Sequence, residues 1–195
     1  MTGREPVDHG WWLAGRASGI VALALVTVSV GIGLAMAGRI ARRPGLAREL
    51  RAIHEHTALV ALVTIAVHGL TLLGDRWLHP GLRGIAVPFW MAYRPLATGT
   101  GILAAYLAAA LGLSFYARRR IGARRWRRLH RTTIAVYAMS VAHALGAGTD
   151  AGALRIPILA TAVPIVLLLG RRMARGRGRA PAPLRPVPAG REAGR

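Results

Sequence analysis

Residues 17–38 read ASGIVALALVTVSVGIGLAMAG, without one charged side chain, and four more apolar runs follow at 52–74, 96–117, 129–147 and about 153–173. A bilayer hydrocarbon core about 30 Å thick takes about 20 helical residues to cross. The first three runs meet that length with no charge at mid-depth. The fourth carries His130 and His143, and the fifth opens on Arg155 and contains Pro157 and Pro164. Proline breaks are tolerated in spanning helices where neighbours satisfy the freed carbonyls. The runs predict an all-α fold, a polytopic membrane helical bundle of about five transmembrane helices.

Composition narrows the function classes. The chain has 195 residues, 53% hydrophobic and 17% charged, the size of one compact membrane domain. It contains no cysteine, which removes disulfides, thiolate metal sites and iron–sulfur ligation. The formal charge of +20 comes from 27 basic residues, all arginine. Nucleic acid is not the expected partner, because the arginines sit in clusters between apolar runs instead of on one face of a soluble fold. Segments 39–51, 118–131 and 171–195 hold five, eight and eight of them. By the positive-inside rule those segments are cytoplasmic, so the N-terminus is expected outside and the C-terminus in the cytoplasm of a multi-pass cell-membrane protein. The first run is too long and too weakly preceded by basic residues for a signal peptide.

The chain divides into a short outer segment 1–10, a membrane domain 11–173, and a tail 174–195. The tail is rich in Arg, Pro and Gly and is expected to be disordered and drawn to anionic membrane lipid. The outer loop 75–94 carries Trp77, Trp90 and Tyr93, residues that favour the headgroup region.

The second run, IHEHTALVALVTIAVHG over residues 53–69, holds a histidine near each end. With the N-terminus outside, the second and fourth runs travel the same way, so His54 and His130 share the inner depth and His68 and His143 the outer. Separations of 14 and 13 residues amount to about 20 Å along each helix, which makes two layers within one bilayer. Neutral imidazole suits transition metals and heme iron, and a low-spin heme takes one ligand from each side. Zinc is less well served by two histidines per layer with few carboxylates nearby. A proton relay would call for Asp or Glu at mid-depth. At 100° per residue His54 and His68 fall on nearly one face, whereas His130 and His143 fall about 140° apart, so the fourth span must bend or shift, or its two hemes must lie at different azimuths.

Taken with RRWRRLHRTTIAVYAMSVAHALG, the segment IHEHTALVALVTIAVHG resembles the paired helices of the ferric reductase-like transmembrane family, which includes ferric reductases and the membrane part of NADPH oxidases. The likeness runs over about residues 11–172, with WWLAGRASGIVAL at the first span and YRPLATGTG entering the third. Members bind two b-type hemes through histidines spaced 14 apart on one helix and 13 apart on another. The resemblance implies two hemes b here, His54 and His130 on the inner iron and His68 and His143 on the outer. Full-length members continue into a flavin and nicotinamide domain, whereas this sequence ends soon after its last span. The resemblance therefore implies a separate cytosolic flavin reductase as electron donor, with an outer electron acceptor or partner reductase. YRPLATGTGILAAYLAAALGLS and RRRIGARRWRRLHR are also similar to the heme-binding membrane subunit that serves a periplasmic methionine sulfoxide reductase. His54 fits the ferric reductase branch better. The rival class is a transporter or scaffold that binds no heme.

Other residues have plainer expectations. His56 stands about 200° around the helix from His54 and reads as a polar interfacial residue. Arg51, Arg127, Arg128 and Arg131 lie at the inner depth, where they serve topology or pair with heme propionates. Arg16 and Arg76 stand in the same relation to the outer heme, and His9 and His79 are expected in solvent. Gly99, Gly101 and Ala104 match a dinucleotide fingerprint, but no strand precedes them, so close helix packing is expected. Tyr106, Phe115 and Tyr116 in the third span are read as core packing, with a place for one of them between hemes as the alternative.

Overall fold

The computed structural model describes residues 6–38, 44–148 and 151–177. Helices α1 (Pro6–Ala37), α2 (Pro44–Thr71), α4 (Pro95–Leu113) and α8 (Ala151–Arg177) are the long elements. Between them lie α3 (Gly81–Ala86), α5 (Arg118–Ile121), α6 (Ala123–His130) and α7 (Thr133–Ala147), and a 3-10 turn, Leu72–Gly74, ends α2. The described residues contain no strand. The expected tail falls largely on residues 178–195, outside the described residues, and α8 itself runs to Arg177.

Among the described residues four helices, α1, α2, α4 and α8, are long and apolar enough to cross a membrane. The fourth apolar run differs from a full-length span. Its helix α7 has 15 residues, a rise of about 22 Å, short of the hydrocarbon thickness. The shortening has a local cause. The chain leaves α6 at His130 and restarts at Thr133 through tight bonds from Arg131 N–H to Arg128 O (3.2 Å) and Thr132 N–H to Leu129 O (2.9 Å). The hydroxyls of Thr132 and Thr133 donate to Leu129 O and His130 O at 2.7 and 2.9 Å, competing with the helical ladder. His130 and His143 therefore sit on two helices, and the phase of a single straight helix does not apply to them.

Helix α1 packs along α2 and also meets α7 and α8, while α4 packs along α7. The core sits where these five meet: Val26 and Leu34 of α1, Ala61 of α2, Leu111 of α4, Val136 and Tyr137 of α7, and Ile165 of α8. The outward faces are apolar as well, with Val63, Leu70, Ile156 and Leu167 all more than half exposed. Such a surface suits hydrocarbon, where the helix has already satisfied its own backbone, and is a liability in water. Helix α8 continues through Pro157 and Pro164.

The segment from residue 75 to 94 folds back onto the bundle. Buried Asp75 accepts the backbone N–H groups of Trp77 and Leu78 at 2.9 and 3.0 Å. At the other end Arg94 donates to Gly146 O at 2.7 Å and Tyr93 to Ala147 O at 3.3 Å. These bonds satisfy carbonyls that the last turn of α7 leaves without intrahelical partners, and the guanidinium also suits that end of the helix dipole. Trp77 and Trp90 remain exposed, at 71% and 60%.

Candidate functional site: two facing histidine pairs

The sequence places two histidines on α2, one at the end of α6 and one within α7, and the bundle brings them together in twos. The rings of His54 and His130 stand 6.0 Å apart between centres, with planes at 88°. Those of His68 and His143 stand 6.3 Å apart at 71°. Each pair lines its own cavity, about 430 Å³ around His54 and His130 and about 460 Å³ around His68 and His143. Val26 and Ile65 line both, so they form part of the partition. Cavities of this size between helices are the usual seats of cofactors in bundles.

Backbone carbonyls orient three of the four rings. His54 Nδ1–H donates to Ser29 O at 2.9 Å, with Ser29 Oγ 3.3 Å away; His68 Nδ1–H donates to Gly15 O at 2.8 Å; His143 Nδ1–H donates to Ala97 O at 2.9 Å. A carbonyl can only accept, so each bond selects the tautomer with the proton on Nδ1 and leaves Nε2 with its lone pair. His130 differs. Among the described residues its buried Nδ1 has no hydrogen-bond partner, and its ring stacks on Trp126 at 4.8 Å and 21°. Trp126 is fixed in turn by its Nε1–H to Ser114 Oγ, 3.1 Å, and by the edge of Phe115.

The donor set suits a metal held between two imidazoles. Ring centres 6.0 and 6.3 Å apart leave room for a metal ion between the two imidazoles of each pair, at about 2.0–2.1 Å from each nitrogen. Among the described residues no three His, Asp or Glu side chains gather at one point. Each pair is thus a two-donor set, which could hold a heme iron and is too small for a structural tetrahedral ion. Arg127, Arg131 and Arg172 line the His54/His130 cavity, and Arg16 lines the other. Arg51, Arg76 and Arg128 are exposed and line neither.

The remaining candidates separate from the pairs. His56 is exposed and donates Nδ1–H to Ala52 O of its own helix, 2.8 Å, and His79 is exposed. The side chain of His9 lies outside the described residues. Gly99 meets Phe89 and Gly101 meets His143, with Ala104 buried, so the stretch packs closely within α4. Tyr106 and Tyr116 are not core residues: they are 51% and 61% exposed, Tyr106 bonding to Ala86 O. Phe115 packs on Tyr116 and Trp126, beside the His130 stack. Trp126 and Arg172 are the site residues that sequence reasoning passed over. Trp126 carried a signal, standing one helical turn before His130 in RRWRRLH, whereas Arg172 comes in from a distant helix. No protein-family model, curated protein or solved structure matches the chain.

Proposed function

We propose that the chain is a membrane di-heme b protein of the ferric reductase-like kind, carrying electrons between the two faces of a cell membrane. The observation that supports this best is the two histidine pairs, 6.0 and 6.3 Å between ring centres, in two adjoining cavities, with His54 and His68 about 21 Å apart along α2. Bound there, hemes would supply one-electron transfer without any change in the protein's own bonds. His54 and His130 would hold the inner iron, and His68 and His143 the outer.

The protein's contribution is placement. The three carbonyl acceptors hold imidazoles in the tautomer that leaves Nε2 free to ligate, and the largely apolar walls would limit water around a bound heme. Arg127, Arg131 and Arg172 would pair with carboxylates at the inner cavity. The reading includes α7 as a fifth, shortened span, an outer N-terminus, a flavin-bearing cytosolic donor and an outer acceptor. Reduced-minus-oxidised absorption of detergent-purified protein, with heme quantified per chain, tests it. Two low-spin b hemes per chain are expected, and a colourless protein made with adequate heme supply rejects the reading.

A further inference from the structure

Three histidines meet the same arrangement on a neighbouring helix. The carbonyls that accept from His68, His54 and His143 belong to Gly15, Ser29 and Ala97. Four residues beyond each stands a glycine: Gly19, Gly33 and Gly101. The recurrence has a physical cause. In an α-helix the carbonyl of residue i already accepts from the N–H of residue i+4, and the side chain of i+4 stands beside that bond. A ring that approaches the carbonyl's second lone pair from outside must pass through the space where that side chain's Cβ would be.

The crowding at the three positions is graded. A Cβ on Gly101 would overlap the His143 ring, only 2.6 and 2.7 Å from Cγ and Cε1. On Gly19 it would stand 3.0 and 3.1 Å from Cε1 and Nδ1 of His68, and on Gly33 it would stand 3.4 Å from Cε1 of His54. His130, whose Nδ1 has no partner among the described residues, rests on Trp126 instead.

We propose that Gly19 and Gly101 are positioning residues, whereas at Gly33 a Cβ would make only ordinary contact with His54. Gly19 and Gly101 each open a notch through which an imidazole docks on a backbone carbonyl, and the docking sets the tautomer and aim of the ligand. The proposal rests on the di-heme reading above. It makes the two sites unequal: His68 and His143 are both docked, whereas the other site has one docked ring and one stacked ring.

The test uses the full chain with Gly101→Ala, Gly19→Ala and Gly33→Ala, and with Gly170→Ala as a helical control whose Cβ meets nothing within 4 Å. Heme per chain and the midpoint potentials of the two hemes are measured on each folded, monodisperse sample. Gly101→Ala is expected to weaken one heme site about 10- to 100-fold and keep the other, the usual effect of losing a ligand's outer partner. Gly19→Ala should weaken the same site less, and Gly33→Ala and Gly170→Ala should match wild type. Wild-type occupancy and potentials in both Gly101→Ala and Gly19→Ala overturn the proposal. So does loss of both hemes together with the fold in those two variants, since a notch serving one pair spares the other. Solid-state ¹⁵N spectra of histidine-labelled protein read the tautomers directly, even in a wild type that takes up no heme and so fails the di-heme reading. Loss of the Nδ1–H form of His143 in Gly101→Ala sustains the notch, and an unchanged tautomer overturns it.

Discussion

His130 is held differently from its three counterparts, and the difference is chemical. A carbonyl acceptor makes an imidazole more basic and fixes its rotation, whereas stacking on Trp126 fixes the plane of the ring alone. On the di-heme reading, replacing Trp126 with Ala is expected to weaken heme binding at His54/His130 about 10-fold and spare the other site, read as heme per chain across a heme titration. His68→Ala or His143→Ala should remove the spectrum of one heme and keep most of the second. Loss of both spectra, or of neither, in those variants contradicts two independent sites. Trp126 was legible as an aromatic one turn from a histidine. Arg172 was not, because its place at the cavity depends on how α8 lies across the bundle.

At the scale of elements, α2 acts as a ruler. It is one unbroken helix from Pro44 to Thr71, so His54 and His68 keep a fixed rotation and rise relative to each other. One alanine inserted after Leu62 turns His68 by about 100° relative to His54 and takes one of the two out of its pair. One heme per chain is the expected occupancy of that variant. The partner segment reaches the same result by another route, since the turn at Arg131 and Thr132 divides it into α6 and α7 and resets the phase of His143. The histidine spacing allowed a bend, a shift or different azimuths, and did not choose among them. Two threonines after RRLHR are a weak signal, because threonine occurs within helices too and its effect depends on what its hydroxyl bonds.

For the whole molecule, the apolar outward faces and the arginine clusters describe a chain arranged around a bilayer. Its lack of cysteine allows the proposed orientation to be read without background labelling. In intact cells a membrane-impermeant maleimide should label Leu82→Cys, in the exposed segment before α4, and should reach Arg128→Cys on α6 only after lysis. The reverse pattern inverts the topology. If the proposed function holds, residues 118–131, with eight arginines, would serve as a docking face for an acidic donor, and electron delivery should slow as salt rises through the range where the Debye length falls from about 30 to 8 Å. A rate independent of salt removes that docking face.

Helical class, the long apolar elements and the levels at which histidines recur are local or additive properties of a chain in hydrocarbon, so they could be read from order alone. Hydropathy sums over a window, and rise per residue converts spacing into depth. The length of α7, the ring-to-ring distances, the carbonyls that three imidazoles reach and the glycines that open the way are properties of two helices at once. Each depends on the rotation and separation of neighbouring helices, and those are set by side chains such as Val26, Ala61, Leu111 and Val136 packing from four different elements into one core.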